Sequence, residues 1–142
     1  MHSKTPTFSF LDHTADLGIL VRGRNLEKLF ENAAQAMMKI MVKGKASQTP
    51  KRRVLEVYGQ DLPDLMVRWL GEILYIFEGE EEIVTHTSIG AISPSRLEAE
   101  LKTVSFDPAR HEVLCEIKAV TYHQIEVTQK GDHWESRIVF DV

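Results

Sequence analysis

Leu62-Pro63-Asp64-Leu65-Met66-Val67-Arg68-Trp69-Leu70-Gly71-Glu72-Ile73-Leu74-Tyr75-Ile76-Phe77-Glu78-Gly79 decides the fold class. Leu62, Leu65, Met66, Trp69, Leu70, Ile73, Leu74 and Phe77 recur at three and four residues, which makes one buried face of a helix. Asp61 is suited to cap its start, Pro63 is tolerated in the first turn, and Asp64 suits the positive end of the helix. Gly79 is expected to end it. Gly71 costs about 1 kcal/mol against Ala inside a helix, so it reads as the mark of a close helix–sheet contact. Asp64, Arg68 and Glu72 interrupt the apolar run, so it does not qualify as a bilayer span.

Upstream, Asn25 is a good N-cap for a second periodic run. Leu26, Leu29, Phe30, Ala33, Met37, Ile40 and Met41 share one face, Lys39 and Lys43 suit the negative helix end, and Gly44 fits a C-cap. Its methionines read as core filler. Before it, Thr7 to Leu11 reads as a short strand. Leu17, Ile19 and Val21 alternate as one strand face before a turn at Arg22-Gly23-Arg24. Between the helices, Ala46 to Pro50 reads as a polar linker and Arg53 to Tyr58 as a strand. Downstream, Ile83, Thr85, Thr87, Ile89 and Ala91 keep period two, as do Leu97, Ala99 and Leu101. Asp107-Pro108-Ala109-Arg110 signals a turn. Val113 to Val120, Tyr122 to Thr128 and Trp134 to Phe140 read as further strands, the last two joined by a Gly131-Asp132 turn. Two amphipathic helices among antiparallel-looking strands imply an α+β fold. The expectation is one two-layer domain over residues 1–142, with an antiparallel or mixed sheet covered on one face by both helices. Met1 to Pro6 lacks the apolar run of a secretion signal and is expected to be mobile.

The chain has 142 residues, enough for a real core without disulfide or metal staples. Apolar residues make up 43%, an ordinary share for a soluble globular protein. The single cysteine, Cys115, excludes an internal disulfide and sits in a strand-like run, where it reads as a small buried hydrophobe. A reducing compartment, the cytoplasm, is the natural fit. The formal charge of −4 argues against broad non-specific nucleic-acid binding. Lys39, Lys43, Lys45, Lys51, Arg52 and Arg53 nevertheless form a basic stretch, and Glu78, Glu80, Glu81 and Glu82 an acidic turn. Both read first as solvated surface; the sharper alternative makes the basic stretch a docking patch for an acidic protein or RNA.

No Gly-rich phosphate loop, paired-cysteine zinc motif or Gly-x-Ser-x-Gly elbow occurs. What remains is polar residues in awkward places. Asp12, His13, Thr14 and Asp16 crowd a break between two strands, where they either support their own turn or form a site. Thr121-Tyr122-His123 interrupts an apolar run, and His123 fits a ligand, a base or a structural hydrogen-bonder. His111 and His86 are weaker candidates, and His86 reads as surface. The ending Ile138-Val139-Phe140-Asp141-Val142 is apolar almost to its end, so it is expected to stay in the sheet and hold Asp141 and the Val142 carboxylate in place. Oxygen donors of this kind suit a hard cation such as Ca²⁺ or Mg²⁺.

Leu11-Asp12-His13-Thr14-Ala15-Asp16 is similar to the His-Thr-Ala-Asp signature of archeases. Ile117-Lys118-Ala119-Val120-Thr121-Tyr122-His123 resembles their second signature, and Phe140-Asp141-Val142 their acidic-aliphatic ending. Leu65-Met66-Val67-Arg68-Trp69-Leu70 looks like their second helix. The resemblance runs from about Phe8 to Val142. It implies a divalent cation, most often Ca²⁺ with Mg²⁺ or Mn²⁺ as alternatives, bound by Asp16, Asp141 and Val142. Asp12, His13, Thr14 and His123 would then lie around that cation or touch a partner. It further implies a non-catalytic activator of the RtcB-type 3′-phosphate RNA ligase of tRNA splicing, which promotes the ligase's guanylation by GTP and its multiple turnover. The chain itself is expected to hold no nucleotide, to meet tRNA only indirectly and to need no membrane. Two other readings stand beside this one. One is a chaperone or modulator of tRNA modification enzymes such as methyltransferases. The other is a stand-alone metal-dependent nuclease or phosphatase built on Asp12, Asp16, Asp141 and His123.

Overall fold

The computed structural model describes residues 6–11, 16–45 and 48–142. Strands β1 (Phe8–Leu11) and β2 (Leu17–Gly23) precede helix α1 (Leu26–Met41), strands β3 (Val42–Gly44) and β4 (Lys51–Tyr58), and helix α2 (Leu62–Glu80). Six strands follow: β5 (Glu82–Ser93), β6 (Arg96–Ser105), β7 (His111–Val113), β8 (Ala119–Val120), β9 (Glu126–Lys130) and β10 (His133–Asp141). Every strand pair is antiparallel, and the α+β expectation holds. The strands divide into three sheets. β10 is central in the first, with β2 and then β1 on one side and β8 and β9 on the other. The second has the order β4-β6-β5, and β3 with β7 forms the third.

The helices form where their caps and periodicity predict. Asn25 accepts a hydrogen bond from the Lys28 N–H, and Asp61 accepts one from the Asp64 N–H. Each satisfies an orphan donor of the first turn. α1 packs on β2 and β5, and α2 packs on β4, β5 and β8, so the two helices tie the larger sheets together. They meet at Trp69, which is fully buried and donates its indole N–H to the Phe30 carbonyl at 2.9 Å. In the same core Leu29, Met37, Leu70, Ile73, Leu97 and Phe140 are buried completely.

Several element ends differ from expectation. β2 runs on through Arg22 and Gly23. α1 stops at Met41 because Val42 turns extended and enters β3, so Gly44 is a strand residue and caps no helix. α2 passes Gly79 and closes on Glu81, whose left-handed backbone sends its N–H to the Ile76 carbonyl. Gly71 marks no close contact: a Cβ added there would meet no packing neighbour within 4 Å. The period-two pattern of β5 is broken by irregularities between Val84 and His86 and between Ile89 and Ala91.

The largest departure is residues 113–128, which do not form two strands. The N–H groups of Leu114 and Cys115 both turn to the Met41 carbonyl at the end of α1. The chain then crosses toward β10, burying Ile117 while Leu114 stays 48% exposed and Cys115 half-buried. Thr121 next ties back to the Val139 carbonyl through both its N–H and its hydroxyl. The turn after it closes with Gln124 in the left-handed region and the Ile125 N–H on the Tyr122 carbonyl. Polar side chains that bond their own backbone stop a strand there.

Two members of the basic stretch pair with the acidic turn. Lys51 pairs with Glu82 at 3.0 Å, and Arg53 pairs with Glu80 at 3.3 Å. Arg52 pairs with Glu100 across the β4–β6 ladder at 2.8 Å. Lys51 donates directly to Glu82, and that bond chiefly holds the Glu82 carboxyl below its ordinary range.

Candidate metal centre at the ends of two neighbouring strands

Asp16 immediately precedes β2, and Asp141 is the last residue of β10. The β2–β10 register ends on the pair Leu17 and Phe140. One residue further along each antiparallel strand lie Asp16 and Asp141, which brings to neighbouring strand ends two carboxylates far apart in sequence. β10 does not fray there. Asp141 pairs with Ala119, and its carbonyl accepts the Lys118 N–H at 2.7 Å. Buried Ile138, Val139 and Phe140 anchor the strand from below. Asp16, Asp141 and Val142 are all solvent-exposed, so an incoming ion has access to them.

The candidate donor set is the Asp16 and Asp141 carboxylates with the oxygens of Val142. Oxygen-only donors suit Ca²⁺, Mg²⁺ or Mn²⁺ and fit thiophilic metals poorly. Among the described residues no group of three or more Asp, Glu, His or Cys side chains is arranged to hold a metal. Asp12, His13 and Thr14 lie outside the described residues.

His123 sits in the exposed turn after β8, where its backbone N–H donates to the Thr121 hydroxyl at 3.2 Å. Its imidazole has no hydrogen-bond partner among the described residues. Ala119, four positions earlier, is the residue that faces Asp141.

Two arrangements escaped the sequence reading. Tyr122 donates its hydroxyl to Asp64 at 2.7 Å, and Asp64 also receives Arg68 at 2.9 Å and the Gln60 N–H at 2.9 Å. The tyrosine bond, more than Gln60 or Arg68, lowers the Asp64 carboxyl pKa, and Asp64 in turn raises that of Tyr122. The Tyr122–Asp64 bond fastens the turn carrying His123 to the start of α2. The second is His111, which is buried, lies against Phe106 and accepts the Asp107 N–H on Nδ1 at 2.9 Å. The only sequence hint was its place four residues after Asp107, across the predicted turn.

Residues 8–142 match the model of the Archease protein family. The chain belongs to that family. It is 36% identical to the protein archease of Methanosarcina acetivorans, with all of both chains aligned. The archease of Sulfurisphaera tokodaii is 32% identical over 95% of this chain and 98% of its own. Among solved structures, protein 1598 of Methanobacterium thermoautotrophicum superposes with a TM-score of 0.79 at 29% identity, covering 96% of this chain and 99% of that one. A Thermotoga maritima archease, described as a possible chaperone, gives a TM-score of 0.64 at 18% identity over 100% of this chain and 99% of its own, a likeness of fold.

Proposed function

We propose that this archease is a cytoplasmic, metal-dependent accessory protein for the RtcB-type 3′-phosphate RNA ligase of tRNA splicing. In this reading it promotes the ligase's GTP-dependent guanylation and sustains multiple turnover, without performing the chemistry itself. The observation that carries the reading is the placement of Asp16 and Asp141 on adjacent strand ends, next to Val142, within an archease chain. A divalent cation held there would join the carboxylates and present positive charge at an exposed rim. The chain's own part is to hold the donors still. Pairing with Ala119 of β8 fixes Asp141, the Leu17–Phe140 rung fixes the start of β2, and the Asp64–Tyr122 bond steadies the neighbouring turn.

The test is a reconstituted ligation with limiting ligase, GTP, a divalent metal and a 3′-phosphate RNA. The expected result is guanylation over many turnovers only when this protein is present. Equal rates with and without it would rule the reading out. Release of phosphate or cut RNA by this protein alone, lost in Asp16→Asn, would favour a metal-dependent nuclease or phosphatase instead.

A second reading is a chaperone or modulator of tRNA modification enzymes such as methyltransferases. The description of the Thermotoga maritima relative as a possible chaperone supports it. Capture of a methyltransferase, and no ligase, would favour that reading.

A further inference from the structure

A cleft of about 450 Å³ separates α1 from the outer edge of β5 and is closed at one end by β3 and His111. Its floor is apolar, with Ala34, Val84 and Val104 all buried. Its rim carries Lys28, Lys39 and Lys43 and a single carboxylate, Glu31. Glu31 is already engaged twice, by the Lys28 ammonium at 3.0 Å and by the Ile89 N–H at 2.8 Å. Lys43 reaches Glu112 at 3.5 Å, but both side chains are about two-thirds exposed, so that pair is weak. Lys39 has no carboxylate partner among the described residues. The result is a local excess of positive charge on a chain whose net charge is −4. His111 adds a donor to the wall: Nδ1 is occupied by the Asp107 N–H, which leaves the ring proton on Nε2.

The shape decides what kind of ligand suits the cleft. β5 is an edge strand, and an added strand would be the first occupant to consider. Glu31 caps the Ile89 N–H on that edge, and the irregularity between Val84 and His86 breaks the spacing a ladder needs. Only a short stretch of edge is left. The volume falls inside the range of roughly 300–1,000 Å³ typical of small-molecule sites. Its lining joins an apolar floor to a rim that is mostly polar and charged.

We propose that this cleft binds a small organic phosphate of about mononucleotide size. Lys39 and Lys43 hold the phosphate, and the organic body lies on the Val84–Val104 floor. The site shares no lining residue with the Asp16, Asp141 and Val142 centre, so it stands or falls separately from it. Calorimetric titration of the whole protein with adenosine monophosphate, adenosine and inorganic pyrophosphate tests it, with amide chemical shifts followed in parallel. The monophosphate is expected to bind about tenfold or more tighter than either other probe, because only it uses both rim and floor. Its shifts are expected at His86 and Thr87. Lys39→Gln with Lys43→Gln should lose about tenfold in affinity with an unchanged circular dichroism spectrum, since both lysines are exposed. Pyrophosphate binding as tightly as the monophosphate, unchanged affinity in the double variant, or shifts confined to Asp16 and Asp141 would each overturn the assignment.

Discussion

Leu17 and Phe140 face each other on the last rung between β2 and β10, so Asp16 and Asp141 lie at adjacent strand ends. A cation bound only by the folded arrangement stabilises it through mass action, by about 2.7 kcal/mol at a hundredfold excess over its dissociation constant. Wild-type protein is therefore expected to melt at higher temperature in saturating Ca²⁺ than in chelator. Asp141→Asn is expected to show a clearly smaller shift at the same Ca²⁺ concentration. A calcium-dependent shift that survives undiminished in the variant would move the cation elsewhere.

His123 carries its imidazole on an exposed turn without a protein partner among the described residues. Exposed substitutions free of such contacts usually change stability by less than about 0.5 kcal/mol. His123→Gln should unfold in urea like the wild type yet impair ligase activation. Outer partners of metal sites typically contribute about 10–100-fold. Wild-type activation would reduce His123 to a surface residue.

Gly71 lies in the middle of α2 with open space where a Cβ would stand. Alanine there removes backbone entropy from the unfolded chain and meets no clash. Gly71→Ala is expected to raise stability by about 0.5–1 kcal/mol, read from the urea midpoint. A loss of stability would restore the close contact that the sequence suggested.

Trp69 joins α1 to α2 through its indole N–H and the Phe30 carbonyl. Trp69→Phe keeps most of the apolar area but deletes the donor and part of the ring. A cost of about 1–3 kcal/mol is expected from the lost bond and the space left. A neutral result in chemical denaturation would mean that the two helices do not depend on this tie.

His133 lies between Glu135 and Asp132, and those hydrogen bonds, Glu135 first, raise its pKa above 6.5. A raised folded pKa gives stability that is fully present below the unfolded value and lost as pH rises through the folded one. The advantage of wild type over His133→Gln should therefore be largest below about pH 6.5 and shrink as the solution is made alkaline. Urea midpoints across that window measure it. A constant difference would show that His133 acts through packing alone.

The sequence made the helices and the framing strands legible because both depend on local signals. Asn25 and Asp61 cap as expected, and Leu97, Ala99 and Leu101 alternate into the core. Residues 113–128 resisted because their apolar run serves a crossing between sheets. Ile117 is buried while Leu114 is half exposed, a pattern set by the distant Met41 and Val139 carbonyls. The pairing of Lys51 with Glu82 and of Arg53 with Glu80 was hidden for the same reason, since no local pattern encodes the β4–β6–β5 order. For the candidate site, the resemblance named Asp16, Asp141 and Val142. The fold adds a strand register that sets the first two side by side.

Calorimetric titration of Ca²⁺ into wild type, Asp16→Asn, Asp141→Asn and a form extended beyond Val142 is the most direct measurement. One cation shared by these residues predicts a single site in wild type, with affinity weakened by more than about tenfold in each altered protein. Equal affinity in all four proteins would contradict a metal centre at the joined ends of β2 and β10.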